Sequence, residues 1–558
     1  MRCLPALASV LAVIVGAGAR PQPASPGVAS SPSGLATGTA GMVSSAHPIA
    51  TEAGLAILRS GGNAFDAAVA VASTLNVVEP AMSGIGGYGT ILIYDASKRE
   101  TRFLNPSGRI PLATNSEAFR PPTPNYLQNR RGAKAVSTPG NLHAWKAMSE
   151  TYGSRPWATL FTPAIEAARS GFVLDDRDAG TIKSAFESFP DHARAFYGRE
   201  GRPLAAGERL VQRDLARSLS AIAEGGVDVF YRGQLALAID RTMAQDGGFL
   251  SAKDLEADVA EWWAPIRIVY RGHEVVTASP PANTFDFLVR LGMMSRFDVA
   301  VLGHNSIEYL HRFAEVTKHG FWTRLRYAGD PDVAPPPLGL LLSPDYWADQ
   351  VNRIDLKRAR PFVPPGLDGG ALSHTTHFVV ADRWGNVVSA TQTLGNAFGS
   401  RLMPEGTGIW LNNSLAYCTF EPKGNPMDAH AGRRKLSGDC PTFIVREGRV
   451  RMAVGTPGGH TIGQTVPQMV MNLLDFRMDI ERAIAAPRVS FIEPDVLAVE
   501  PGIDSAVVEG LKARGHNVRI TGGLGNAHGL AIEYDAAGRV VRFTGAADPR
   551  GRGLARGY

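Results

Sequence analysis

Thr375 and Thr393 are the two side chains whose spacing first suggests chemistry. The stretch from Asp382 to Asn386 separates two β-branched runs. A three-residue loop with Gly385 in a left-handed conformation is a standard hairpin connection. With Arg383 to Gly385 as the loop, Asp382 faces Asn386, and the constant sum of paired positions in an antiparallel hairpin sets Thr375 opposite Thr393. One reading is a cross-strand Thr–Thr pair on a surface hairpin. The other is a nucleophile with a neighbour; a threonine hydroxyl is weakly nucleophilic at neutral pH and needs a nearby proton acceptor.

A second group lies at Gly455-Thr456-Pro457-Gly458-Gly459-His460, after a predicted strand over 450–454 and before an apolar helical stretch over 465–474. Gly458 and Gly459 let backbone N–H groups approach a reacting carbonyl, as an oxyanion hole requires. A helix-capping turn uses glycine equally well.

The elements that would hold these groups begin near Gly41. A predicted helix over 49–58 ends at Gly61-Gly62, and Asn63 caps a second over 64–75 with Asp66 in its first turn. The glycine run from Ser83 to Gly89 precedes an apolar strand over 90–94 and lacks a following Gly-Lys-Ser/Thr, so phosphate binding is not expected there. Residues 133–368 read as mixed α/β scaffold. His304, His311 and His319 have no recognised ligand spacing and are read as structural or exposed. His374 and His377, three apart on a strand, fall on opposite faces.

The run Thr-Thr-His-Phe-Val-Val-Ala-Asp-Arg-Trp-Gly-Asn at 375–386 closely resembles the start of the small subunit of the γ-glutamyltransferases, which are N-terminal nucleophile hydrolases. A separate stretch, Ala46-His47-Pro48 through Asn63 and Asp66 to Gly84-Ile85-Gly86-Gly87, resembles the start of their large subunit. The likeness runs from about residue 41 to the C-terminus. It implies an α+β fold, a four-layer αββα sandwich built from the large and small subunits of one precursor. It also implies self-cleavage between His374 and Thr375, giving a large subunit over 41–374 and a small subunit over 375–558 that stay associated. Thr375 would then carry nucleophile and base together, because its freed α-amino group titrates near pH 7.7 to 8.0. Thr393 would orient the Thr375 amine or hydroxyl, Gly458 and Gly459 would hold the oxyanion, and residues 358–370, rich in Pro and Gly, would be a flexible approach to the scission site.

The substrate positions depart from the family. An arginine in the Asn105-Pro106-Ser107-Gly108-Arg109 loop binds the substrate's α-carboxylate there, and Arg109 is the candidate, although counting from the shared proline places Ser107 at that position. The glutamine and aspartate that anchor the α-ammonium group are Ser414 and Tyr417 here. The paired serine loop is Ser437-Gly438, and a usual asparagine is Gly395, with Asn396 beside it. Losing a carboxylate opposite an ammonium weakens selection for a glutamyl group. The first reading is therefore hydrolysis or acyl transfer on γ-glutamyl compounds such as glutathione through an acyl-enzyme on Thr375. The alternatives are acyl amides without the α-amino group, as in cephalosporin-acylase-like or oxamate-hydrolase-like relatives, or an uncleaved binding scaffold. No metal or organic cofactor is expected.

The 558 residues, 44% hydrophobic and 20% charged, are ordinary globular composition with ample chain for a core. A formal net charge of +5 without a dense Lys/Arg block gives no reason to expect nucleic-acid binding. Met1-Arg2, an apolar stretch over 4–15 and Ala17-Gly18-Ala19 fit a secretory signal peptide over 1–19, too short to anchor in a membrane, followed by a flexible leader over 20–40. Export to the periplasm or outside the cell is expected. Cys418 and Cys440 remain after signal removal, and the two readings are a disulfide between them and two separate thiols.

Overall fold

Two seven-stranded antiparallel sheets lie at the centre of the computed structural model, and each draws strands from both sides of the expected scission point. The first runs Leu554–Gly557, Gly41–Ser45, His374–Asp382, Val387–Gly395, Tyr88–Asp95, Glu100–Asn105, Glu261–Trp263. The second runs Leu35–Gly38, Val540–Ala547, His528–Tyr534, Arg449–Gly455, Thr442–Arg446, His273–Thr277, Ile266–Tyr270. The residues described are 35–120, 130–282, 284–362, 374–492 and 495–558, with the His460 side chain excluded. The expected signal peptide, residues 20–34 of the leader and residues 363–373 lie outside them.

The central hairpin shows how the layers are made. Successive side chains on a strand alternate in direction, so Phe378 and Val380 pack with the helices Pro48–Arg59 and Ala64–Val78, while Val379 and Ala381 pack against Phe443, Ala453 and Leu530 of the facing sheet. Helices Phe285–Met294, Ile307–Tyr327 and Ile462–Leu474 supply the core on the outer face of the second sheet. The αββα sandwich is thus present. Asn63 caps its helix as predicted: its side-chain oxygen accepts from Phe65 and Asp66 at 3.0 Å, and its own N–H donates to the Asp66 carboxylate at 3.0 Å. Such a cap contributes about 1 kcal/mol.

Three expectations need correction. The leader ends earlier than residue 40, because Leu35–Gly38 pairs with Val540–Ala547 and so joins the sheet. The approach over 358–370 is tied down in its described part: the Ala359 N–H donates to the Arg514 carbonyl at 2.7 Å and Lys318 Nζ to the Arg360 carbonyl at 2.6 Å. Residues 408–413, outside the sheets, are pinned one by one, the Asn412 N–H to Gly86 O at 3.1 Å and the Asn413 N–H to Leu394 O at 2.9 Å. Cys418 and Cys440 are not joined in a disulfide. Cys418 packs with Ile110, Phe119 and Phe420, whereas Cys440 belongs to the core beneath the second sheet and donates to Gly438 O at 3.6 Å.

Candidate active site

The register predicted from the hairpin holds from Ala381 back to Thr375, which pairs with Thr393. It breaks at the next residue, where His374 pairs with Gly395 and Leu394 is skipped. A bulge or irregularity therefore sits at the His374–Thr375 bond. Thr393 uses the carbonyl of that bond. Its hydroxyl donates to His374 O at 2.6 Å and accepts from Thr375 Oγ at 3.2 Å and from the Gly395 N–H at 2.8 Å. One proton and two lone pairs are all engaged, so the direction of each bond is fixed.

The third strand extends this row. Thr393 pairs with Tyr88, and one step along, His377, Thr391 and Thr90 form a second row on the same face. His377 Nδ1 lies 2.8 Å from Thr391 Oγ, and burial holds the imidazole well below its usual pKa, hence neutral. Gly455 closes over it: a Cβ there would stand 2.2 Å from the ring, so the residue must be glycine. Gly458 and Gly459 follow, with φ of +142° and +58°, opening the helix Ile462–Leu474. Thr461 holds the turn, its hydroxyl donating to Gly458 O at 2.9 Å.

The loop over 435–440 covers the two rows. Ser437 Oγ is 3.5 Å from Thr90 Oγ and 2.9 Å from the Asp439 carboxylate. A Cβ on Gly438 would stand 3.3 Å from Gly459 O and 3.3 Å from the Tyr417 hydroxyl, which brings Gly438, Gly459 and Tyr417 to one point. Lys435 Nζ rests 3.1 Å from the centre of the Tyr88 ring and 5.8 Å from that of Tyr417. Burial pushes the Asp439 carboxyl up to about 7 and drives Lys435 well below the usual lysine range. Sequence reasoning assigned no role to Lys435, Asp439 or Tyr88. The available signal was a Lys and an Asp flanking Leu436-Ser437-Gly438 in a loop otherwise built for burial.

A family model described as Gamma-glutamyltranspeptidase matches residues 50–558. The chain belongs to the γ-glutamyltranspeptidase family. It is 36% identical to the Acylase ACY 1 proenzyme of Pseudomonas sp. (strain SE83), with 92% of each chain covered. It is 32% identical to the Glutathione hydrolase proenzyme of Bacillus subtilis (strain 168), over 93% of this chain and 92% of that relative. A crystal structure of cephalosporin acylase from Bacillus halodurans superimposes with a TM-score of 0.87 at 28% identity, covering 96% of this chain and 99% of the other. The chain is thus an N-terminal nucleophile hydrolase of the γ-glutamyltranspeptidase family.

Against the γ-glutamyltranspeptidase pattern, the candidate substrate positions divide. Arg109 is already committed, donating to the Glu261 carboxylate and to Gly432 O at 3.1 Å, with Arg434 on the same carboxylate. Ser107 is buried and its hydroxyl finds no partner among the described residues. Ser414 bonds Ser137, and Tyr417 is buried against Tyr88. Gly395, with φ of +103°, cannot carry the family's asparagine, because a Cβ would lie 2.0 Å from Asn413 Oδ1. Thr375, Thr393, Gly438, Gly459, Ser437 and Tyr417 therefore gather at one end of the sandwich. Arg109 is held in a separate ion-pair cluster. An open cleft of about 740 Å³, lined by Tyr94, Arg102, Trp262 and Trp263 among others, contains none of the candidate residues. Among the described residues, no helix is long and apolar enough to cross a membrane.

Proposed function

We propose that the chain cuts itself between His374 and Thr375 and then hydrolyses or transfers the acyl group of amides that lack an α-amino group. The hydrogen bond from the Thr393 hydroxyl to His374 O carries the first part. In the uncut chain Thr375 Oγ attacks the His374 carbonyl carbon, and the charge that grows on the oxygen meets a donor already in place. The amide C–N bond breaks as the nitrogen takes the hydroxyl proton, which frees the Thr375 amine, and water then splits the resulting ester into a His374 carboxylate and the Thr375 hydroxyl. That amine accepts the Thr375 hydroxyl proton in the next cycle. Oγ attacks the substrate carbonyl, the Gly458 and Gly459 amides hold the oxyanion, the leaving amine departs protonated, and water or a second amine takes the acyl group from Oγ.

The acyl preference rests on the lost anchors. Ser107, Ser414 and Tyr417 offer no formal charge where a zwitterionic glutamyl head needs both signs. A specific observation supports γ-glutamyl substrates as the second reading: Lys435 and Asp439 put an amine and a carboxyl group beside Tyr417. Intact mass and N-terminal sequencing test processing, with a fragment from Thr375 to Tyr558 expected from the wild type and a single chain from Thr375→Ala. Parallel assays on a glutaryl amide and on glutathione test the acyl group; turnover of glutathione alone supports the second reading, and an unbroken wild-type chain supports a binding scaffold. Export of the mature chain is part of the proposal, on the signal-like N-terminus.

A further inference from the structure

Far from Thr375 in sequence and on the other side of the second sheet, His311 and Glu315 lie one turn apart on the helix Ile307–Tyr327. His516 reaches them from the turn that follows the helix Ser505–Ala513, where Gly515 has φ of +93°. All three are buried, and one ligand atom from each lies within 4.8 Å of the others. The sequence hides this group, because His311 and His516 are 205 residues apart.

The hydrogen bonds settle the tautomers. His311 Nε2 is 2.8 Å from Asp355 O, and a carbonyl only accepts, so Nε2 carries the proton and Nδ1 is a lone pair. That lone pair lies 2.8 Å from His516 Nε2, which must then donate to it. A ring nitrogen aimed at a shared point while the other donates to a backbone carbonyl is the outer arrangement that protein metal ligands use. The Glu315 carboxylate meets Lys318 Nζ at 3.0 Å and the Arg360 N–H at 3.3 Å.

We propose that His311 Nδ1, His516 Nε2 and a Glu315 carboxylate oxygen form a binding site for a divalent transition cation of the zinc type. Two imidazoles and a carboxylate are a zinc donor set, and calcium and magnesium prefer all-oxygen shells. Entry requires three local changes. The His516 proton moves to Nδ1, the two ring nitrogens part from 2.8 Å to the roughly 3.3 Å that tetrahedral zinc imposes, and Lys318 leaves Glu315. Lys318 retains its 2.6 Å bond to Arg360 O. The positive neighbours Lys318, Arg312 and Arg514 oppose any cation that lacks strong affinity for imidazole, which favours zinc further. Water from the rim by the exposed Asp355 can complete the shell.

His311 and Glu315 precede the scission point and His516 follows it. Where the chain is cut as proposed above, the same ion ties the two products together; the site itself does not depend on the cut.

The test uses full-length untagged protein dialysed against chelator. Added zinc should bind at one equivalent by elemental analysis and raise Tm by at least about 2 °C, with no shift from magnesium or calcium. Cobalt should give the intense visible bands of a tetrahedral nitrogen and oxygen site, abolished by one equivalent of zinc. His516→Gln and Glu315→Gln should each lose the Tm shift while keeping the unliganded Tm within a few degrees. Absence of both the cobalt bands and the zinc shift in the wild type overturns the proposal whatever the variants do, as does an equal zinc shift in His516→Gln or an equal shift from calcium.

Discussion

The hydroxyl of Thr393 donates to the carbonyl oxygen of His374 at 2.6 Å, across a bulge or irregularity that separates this pair from an otherwise unbroken hairpin register. The donor is thus aimed at the bond whose cleavage would free Thr375, before any cleavage has occurred.

Removing that donor should slow processing more than it disturbs folding. Thr393→Val keeps the branched shape and leaves the His374 carbonyl unassisted, and loss of one oxyanion donor costs about 10²- to 10³-fold in rate. Thr393→Ser restores the hydroxyl and should recover most of the rate. A time course of chain cleavage on denaturing gels checks this; cleavage of Thr393→Val at the wild-type rate would remove Thr393 from the chemistry.

Gly458 should tolerate no side chain. Its φ of +142° is closed to other residues, and a Cβ would stand 2.5 Å from Thr461 Oγ. Straightening the turn misaims the two amides, so Gly458→Ala is expected to lose about 10²-fold in kcat. Steady-state assay of a mass-verified, cleaved variant is the measurement, and a near-normal kcat would show that the oxyanion is held elsewhere.

The buried Asp439 should leave a signature in stability against pH. Desolvation raises its carboxyl from 3.8 to about 7, so between those values the native chain keeps a proton the unfolded chain has lost. Its contribution is full below the unfolded pKa, and stability falls as pH rises through that window, by up to about 1.4 kcal/mol per pH unit. Asp439→Asn should match the wild type near pH 4 and exceed it near pH 7 in denaturant titrations. Parallel curves across the window would mean that Asp439 is ionised throughout.

The two cysteines should behave as separate, shielded thiols. Burial pushes the Cys440 thiol well up and the Cys418 thiol up to about 12, which suppresses the reactive thiolate. Thiol titration should read neither in the native protein and both after unfolding, and a reductant should leave Tm unchanged. A Tm that drops under reduction would restore the disulfide.

What the sequence determined is what local rules govern. The hairpin register followed from one loop and the pairing arithmetic of antiparallel strands, which set Thr375 beside Thr393. The Asn63 cap followed from side-chain reach to amides two and three residues on, and the αββα layering from the likeness to the γ-glutamyltransferases. The break in that register at His374 was not legible, since the pairing rule carries no information about where a ladder ends.

Tertiary structure decided the rest. Arg109 pairs with Glu261, the thiols of Cys418 and Cys440 enter different cores, Lys435 lies on Tyr88, and His516 meets His311. Each of these contacts joins segments far apart in the chain, where no local steric or hydrogen-bonding preference acts. The charge states of Lys435 and Asp439 depend on desolvation, a property of everything packed around a group, so they exist only once the sheets have closed.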